Sequence, residues 1–266
     1  MSEIPEKPDP LVLNHLLAAL PHADRRRWAP HLEAVTLHAG QVLHQPGSAP
    51  AFVYFPTSAV ISLMSTTLDG ASTELAIVGP EGMAGIAVLM GGSTMFSQAV
   101  VQAAGQALRL PSHALRGELR PSGAVLAMLL RYTQAVMVHL AQTALCNRYH
   151  SIDQQLSKRL LQALDRSSSA ELAMTQESAA NLLGVRREGI TAAASRLQHA
   201  GIIRYHRGQI AVLDRARLEQ SACECYASAR NEHQRLLPAL GLPPPLPSSA
   251  PAPAPRAWAS SLAPAA

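Results

Sequence analysis

The chain has 266 residues, 48% of them hydrophobic, a formal charge of +4 and a pI of about 9.2. That length allows one or two domains with a sizeable core, and that apolar share excludes a chain disordered throughout. The charge is unevenly placed: residues 1–150 hold nine Lys/Arg and nine Asp/Glu, whereas residues 186–217 hold seven Arg against Glu188 and Asp214. A neutral part joined to a locally basic part is the footprint of a nucleic-acid binder with a separate non-DNA module.

Residues 1–10 are acidic and proline-rich and are expected to be disordered; they lack the charged-then-apolar layout of a signal peptide. Residues 11–20 read as a short amphipathic helix (Leu11, Leu16, Leu17, Leu20) ended by Pro21. A second short helix, about 22–32, carries Arg25, Arg26 and Arg27 as a solvated basic face. From residue 33 to 110 the pattern changes to short runs broken by glycine. The predicted strands are 34–37, 41–44, 52–55, 59–67, 73–78 and 98–110, the last interrupted at Gly105. Gly40, Pro46-Gly47, Asp69-Gly70 and Gly79-Pro80 supply turns. Such spacing points to an antiparallel β-barrel or jelly roll. Residues 83–90 form a short apolar segment, helix or loop.

A long helix is predicted over 121–150, about 45 Å at ~1.5 Å per residue. It carries two apolar stripes. One, with Leu126, Leu130, Met137, Leu140 and Ala144, is close to a heptad seam; the other, with Val125, Leu129, Tyr132 and Val136, is placed to face the barrel. Arg131, Gln134, His139 and Gln142 interrupt the run, as in a partner-facing helix rather than a membrane span. The seam residues Leu130, Met137, Leu140 and Ala144 invite a twin helix, hence a homodimer. Residues 151–166 read as a further helix with Leu156, Leu160, Leu161 and Leu164 inward, and 167–171 as a polar loop.

Residues 175–201 carry the main signal, a helix-turn-helix. Thr175 caps a first helix with Ala179, Leu182 and Leu183 on its apolar side. Gly184 stops it, because a tight turn needs the left-handed conformation. A second helix begins at about Arg186 and buries Ile190, Ala193, Ala194 and Leu197. Its other face presents Arg186, Arg187, Glu188, Thr191, Ser195 and Gln198. A guanidinium can pair with guanine O6 and N7, and a carboxylate can accept from cytosine N4, so this face suits a major groove. Two β-rich runs, 202–205 and 209–213, flank His206-Arg207-Gly208 and make a hairpin, which turns the motif into a winged one with Arg204 and Arg207 near phosphates. A final helix is predicted over 215–240 and a Pro/Ala/Ser-rich disordered tail from 238 to 266.

The order of barrel, long helix and winged helix, together with Thr175-Gln176-Glu177 through Gly184-Val185-Arg186-Arg187-Glu188-Gly189-Ile190, resembles the Crp/Fnr family of bacterial transcription regulators over about residues 11–237. The resemblance implies an α+β protein: a cyclic-nucleotide-binding-like sensor barrel (11–120), a dimerisation helix (121–150) and a winged helix-turn-helix domain (151–237). It implies base reading by Arg187, Glu188 and Thr191, with Gly189 also toward the groove. Phosphate contacts fall to Thr175, Gln176, Arg186, Arg204 and Arg207. Residues 79–85 stand where relatives carry the phosphate-binding turn. Here Gly82 and Gly85 are followed by Ile86 instead of Glu, and the stretch holding Ser97 and Gln98 contains no Arg. A cyclic phosphate buried without a cation would be left unpaired, so the pocket (Gly82, Gly85, Ile86, Ser97, Gln98) is expected to be degenerate and not to take cyclic AMP.

The three cysteines, Cys146, Cys223 and Cys225, make no disulfide framework and fit a reducing cytosol. The N-terminal cysteine cluster that the family's oxygen sensor uses for an iron–sulfur centre has no counterpart here, so that cofactor is not expected. His139, Cys146 and His150 share one helix, but a polar dimer seam is expected there rather than haem. On a continuous helix Cys223 and Cys225 diverge by about 200°, so no metal site is expected. The chain offers no nucleophile elbow, HExxH or GxxxxGK[ST], and is not expected to be an enzyme. The expected function is a cytoplasmic, homodimeric DNA-binding regulator, with duplex DNA as partner, RNA polymerase as a further one for an activator, and no membrane. The alternative is a cyclic-nucleotide or other small-ligand sensing module of the same fold, in which ligand binding is the main activity.

Overall fold

The computed structural model describes residues 10–92, 94–119, 123–167 and 169–238. The expected disordered ends lie outside the described residues except for Pro10 and Pro238. Helices α1 (His15–Ala18) and α2 (His22–Trp28) come first. Asn14 caps α1 by accepting from the Leu17 N–H, and its amide donates to the carbonyls of Pro56 and Gly82, each at 2.9 Å. One buried side chain therefore ties the N-terminal turn to the sheets behind it.

Among the described residues seven strands follow: β1 (Glu33–Leu37), β2 (Val42–His44), β3 (Phe52–Pro56), β4 (Val60–Thr66), β5 (Ser72–Val78), β6 (Gln98–Ala103) and β7 (Gly105–Pro111). They form two antiparallel sheets of order β1-β7-β3 and β2-β6-β4-β5, the jelly-roll-like double layer that the strand spacing predicts. Leu37, Ile61, Leu63, Ala76, Val78, Ala99 and Val101 fill the space between them. On β4 the alternate residues Ser62 and Met64 point the other way yet are also buried. The four-stranded sheet is thus covered on both faces, and what covers its outer face is the C-terminal part of the chain.

Helix α3 (Ser112–Leu119), unmarked in the sequence reading, leads to α4 (Gly123–Tyr149), which runs 27 residues. By length and composition α4 could cross a membrane, but Val125, Met128, Leu129, Tyr132 and Ala135 are buried against the sheets and N-terminal helices. The barrel-facing stripe is as expected. The seam is narrower than expected: Leu130 and Met137 are 52% and 59% exposed and Ala144 is exposed, but Leu140 packs against the barrel core. Three residues beyond Met137 on a 100° helix, Leu140 is turned toward the sheet.

Helix α5 (Ile152–Leu164) opens with a capping box between Ser151 and Gln154. Then come β8 (Glu171–Ala173), a strand unmarked in the sequence reading that begins at the last residue of the expected 167–171 loop, α6 (Gln176–Leu183), α7 (Arg187–His199), β9 (Ile203–His206) and β10 (Gln209–Val212). The last three strands form a sheet of order β8-β10-β9. The expected single terminal helix is two helices, α8 (Arg215–Ser221) and α9 (Cys225–Leu236), separated by an extended Ala222. The break lets α9 turn back along α4, so that Leu236 and Leu237 enter the core with Leu16, Leu17 and Trp28.

Candidate nucleic-acid interface and effector site

The helix-turn-helix is built as its sequence dictates. Thr175 Oγ1 accepts from the Ser178 N–H, and Gly184 ends α6 at φ +64°. Arg186 stands at the N-cap of α7 with extended backbone and makes no side-chain cap bond, so its guanidinium is free to leave the helix. Ile190, Ala193, Ala194 and Leu197 are buried at 0–5% exposure, while Arg186, Arg187, Glu188, Thr191, Ser195 and Gln198 are exposed. Among the described residues, Arg186, Arg187 and Glu188 carry no ion pair. The leading edge of α7 therefore presents two guanidinium groups and a carboxylate to solvent.

Other expected contacts are drawn into the same surface. Thr191 Oγ1 lies 2.8 Å from Gln176 Oε1 and 3.1 Å from the Arg187 carbonyl. The Gln176 N–H donates to the Tyr205 hydroxyl, and Met174 N–H to the Gly208 carbonyl. Thr175, Gln176, Thr191 and the wing are thus one continuous patch. At the wing tip Arg207 has φ +47° and Gly208 φ +78°, the pair of left-handed residues that a two-residue type I′ hairpin requires. A left-handed Arg costs about 1–2 kcal/mol relative to its usual backbone, so stability alone does not favour it there.

Three arginine and glycine assignments change. Gly189 does not face the groove: a Cβ there would come within 2.6 Å of Ile152 Cδ1, so it is the close-packing point of α7 on α5. Arg196 is held by Asp153 at 2.6 Å, and Arg215 by Asp165 at 2.6 Å and Glu219 at 2.9 Å. Two of the seven basic residues counted for DNA are therefore used within the domain.

In the barrel, Gly82 is covered by Tyr132. A Cβ on Gly82 would fall 2.4 Å from the Tyr132 hydroxyl, which donates to the Met83 carbonyl and accepts from its N–H, both at 3.0 Å. Burial pushes the Tyr132 phenol up, so it stays protonated. Gly85, at φ +104°, abuts Val53, and Ile86 is in the core with Met83 and Val88. Ser97 is 1% exposed and its carbonyl takes the His44 Nδ1, while Gln98 donates to Gln45. Gly82, Gly85 and Ile86 are thus packed against protein neighbours and Gln98 is hydrogen-bonded, whereas the buried Ser97 hydroxyl has no partner among the described residues.

The sequence reading missed the polar side of α5. Gln155, Lys158, Arg159, Gln162 and Arg166 recur at helical spacing and look like a solvated face, yet the first four are buried. Arg159 pairs with Glu74 of β5 at 2.8 Å and also meets Gln102; Ser62 donates to the same carboxylate. Arg166 pairs at 2.7 Å with Glu81, in the turn before Gly82. Gln162 contacts His139, whose pKa falls to about 3 through burial and the charges of Arg166, Lys158 and Arg159. This stripe fastens the winged helix to the sensor. Its only sequence signal was an excess of basic and amide residues on a helix next to an apolar one.

The expectation that Cys223 and Cys225 diverge also fails, because the chain between them is not helical. Both are buried beside Cys146, and His150 completes the group. His139, one turn and more away, belongs to a different cluster.

Two family models match the chain: the cyclic nucleotide-binding domain over residues 34–121 and the Crp-like helix-turn-helix domain over 154–221. A sensor barrel followed by this winged motif defines a DNA-binding transcriptional regulator. The chain carries these two domains in the order found in solved structures of Crp/Fnr-family regulators, and shares their fold. No curated protein matches the sequence. Solved structures with the same fold include FixK2 from Bradyrhizobium japonicum (18% identity, TM-score 0.61, 72% of this chain and 98% of that one). A Crp/Fnr-family chain from Eubacterium rectale is similar at 20% identity and TM-score 0.58, covering 77% of this chain and 96% of that one. So is a CRP-family regulator from Thermus thermophilus at 19% identity and TM-score 0.58, covering 71% and 96%.

Proposed function

We propose that the protein is a cytoplasmic homodimer that reads a pseudo-palindromic duplex site and is not controlled by cyclic AMP. The observation that carries this is the exposed leading edge of α7, with Arg186, Arg187 and Glu188 unpaired among the described residues beside a wing whose tip holds Arg207 in a left-handed turn. Arg187 and Glu188 read base edges, and Thr191, held by Gln176, supplies its methyl group or hydroxyl. Arg186, Gln176, Arg204 and Arg207 hold phosphates, with Thr175 setting the helix end against the backbone. A bidentate Arg–guanine pair contributes about 1–3 kcal/mol of discrimination. The exposed line of Leu130, Met137 and Ala144 on α4 supports pairing with a second copy. Pairing along α4 sets two α7 helices about one DNA turn apart, ~34 Å.

The tyrosine-covered Gly82 turn and the absence of Arg between residues 95 and 102 argue against a cyclic phosphate in the barrel. A signal that moves the 79–82 turn would reach the winged domain through Glu81 and Arg166. The activity is binding, and an activating role would bring RNA polymerase as partner.

The experiment selects bound duplexes from a random pool and compares wild type with Arg187→Ala on the selected site and on a scrambled one at fixed salt. Loss of about 5- to 150-fold on the selected site with little change on the scrambled one is expected. Equal loss on both would remove the base-reading role.

A further inference from the structure

At the junction of sensor, long helix and winged domain, four metal-binding side chains converge. Cys146 and His150 stand one turn apart at the end of α4 and so share a face. Cys223 and Cys225 come from the α8–α9 link, where the extended Ala222 turns both thiols inward. Their four ligand atoms all lie within 4.8 Å of one another. Cys146 Sγ is 3.5 Å from Cys223 Sγ, and Cys225 Sγ is 3.5 Å from His150 Nδ1. Tetrahedral zinc, with bonds of about 2.3 Å to sulfur and 2.0 Å to nitrogen, has ligand–ligand edges of about 3.8 and 3.5 Å. A set this tight has the size of a single tetrahedral ion's ligand shell.

The surroundings fit the same reading. His150 Nε2 lies 3.3 Å from the Glu224 carboxylate, which fixes the tautomer that leaves Nδ1 to bind. Gln155 donates to the carbonyls of His150 and Cys146 and anchors the end of α4. Lys158, buried on α5, places an ammonium group near Cys146. Three thiolates and a divalent cation carry a net charge of −1, and this ammonium group offsets it.

We propose that Cys146, His150, Cys223 and Cys225 form a Cys₃His site for a soft, tetrahedral divalent ion, zinc above all. Loading replaces the thiol protons, which go to solvent, and involves no redox change. Because two ligands lie on α4 and two on the α8–α9 link, the ion clamps the end of the long helix to the C-terminal side of the winged domain. This holds whatever DNA site the protein reads.

The test uses full-length protein purified and kept reduced. Zinc is quantified by mass spectrometry, and the metal-free protein is titrated with Co²⁺ while the visible spectrum is followed. About one zinc per chain is expected, with thiolate-to-cobalt charge-transfer and intense tetrahedral d–d bands that one equivalent of zinc abolishes. Cys225→Ser should lose these bands. Because that variant could unfold, Glu224→Gln provides a second arm: its side chain is 67% exposed, and losing the bond to His150 should weaken affinity about 10- to 100-fold. Reduced wild-type protein that gives no thiolate–cobalt bands overturns the proposal, as does a folded Cys225→Ser variant of wild-type affinity.

Discussion

Arg159 Nε lies 2.8 Å from a Glu74 carboxylate oxygen, and both side chains are buried between α5 and the outer face of the four-stranded sheet. Ser62 and Gln102 close the group by bonding to Glu74 and Arg159. One ion pair therefore joins the first helix of the winged domain to the edge strand β5 of the four-stranded sheet.

Removing one partner leaves the other charge buried and alone. Arg159→Met or Glu74→Leu should lower stability by about 3–5 kcal/mol. The double variant Arg159→Met/Glu74→Leu should recover a large part of that loss, since an apolar pair of similar volume removes the desolvation cost. Urea unfolding of the four proteins reads the coupling directly. Additive single losses would show that the contact carries no energy of its own.

The left-handed wing tip separates stability from binding. Arg207→Asn places a residue that tolerates positive φ in the type I′ turn and should raise stability by about 0.5–1 kcal/mol. The same change removes a phosphate contact, lowering the log–log salt slope of DNA binding by about one per subunit. A slope equal to that of wild type would take Arg207 off the DNA.

Histidine burial gives a pH dependence with a definite sign. His139 has its pKa lowered to about 3 by burial first, and then by Arg166, Lys158, Arg159 and His233. His44 and His233 are lowered in the same direction by burial. The unfolded chain takes up these protons near pH 6.5 and the folded one does not. The contribution of His139 is therefore complete above about pH 6.5 and declines as pH falls toward 3, by at most about 1.4 kcal/mol per unit, and His44 and His233 act in the same direction. His139→Gln, which keeps a polar partner for Gln162, should flatten the decline between pH 6.5 and 5 in urea titrations.

The exposed line on α4 gives an assembly test. Wild-type protein should sediment at twice the chain mass, and Leu130→Glu/Met137→Glu as a monomer with weakened DNA binding, because like charges would oppose the helix seam. A monomeric wild type at working concentration would remove the dimer from the proposal.

The α7 face was legible in the chain because each of its determinants is local. Gly184 fixes the turn, Arg186 marks the cap, and the 3.6-residue period of Ile190, Ala193, Ala194 and Leu197 decides which side is wet. The strands and their turns were legible for the same reason. Gly189 was misplaced because its role depends on Ile152, which lies 37 positions earlier in the chain and touches it only once α5 and α7 cross. Leu140 was given to the seam because a heptad reading cannot tell two adjacent apolar faces apart when both are covered by different partners.

Sequence alone determined the exposed face of α7, the double-layered barrel and the absence of Arg between residues 95 and 102, since periodicity, turn chemistry and residue type act over a few positions. Only the tertiary structure decided what the polar side of α5 does and where the thiols go. Gln155, Lys158, Arg159 and Gln162 look solvated until a sheet and a helix from elsewhere in the chain cover them. Cys223 and Cys225 look divergent until the helix breaks at Ala222 and carries them to Cys146, 77 residues away from the nearer of the two. Long-range contacts of this kind depend on how whole elements pack, and no local pattern encodes them.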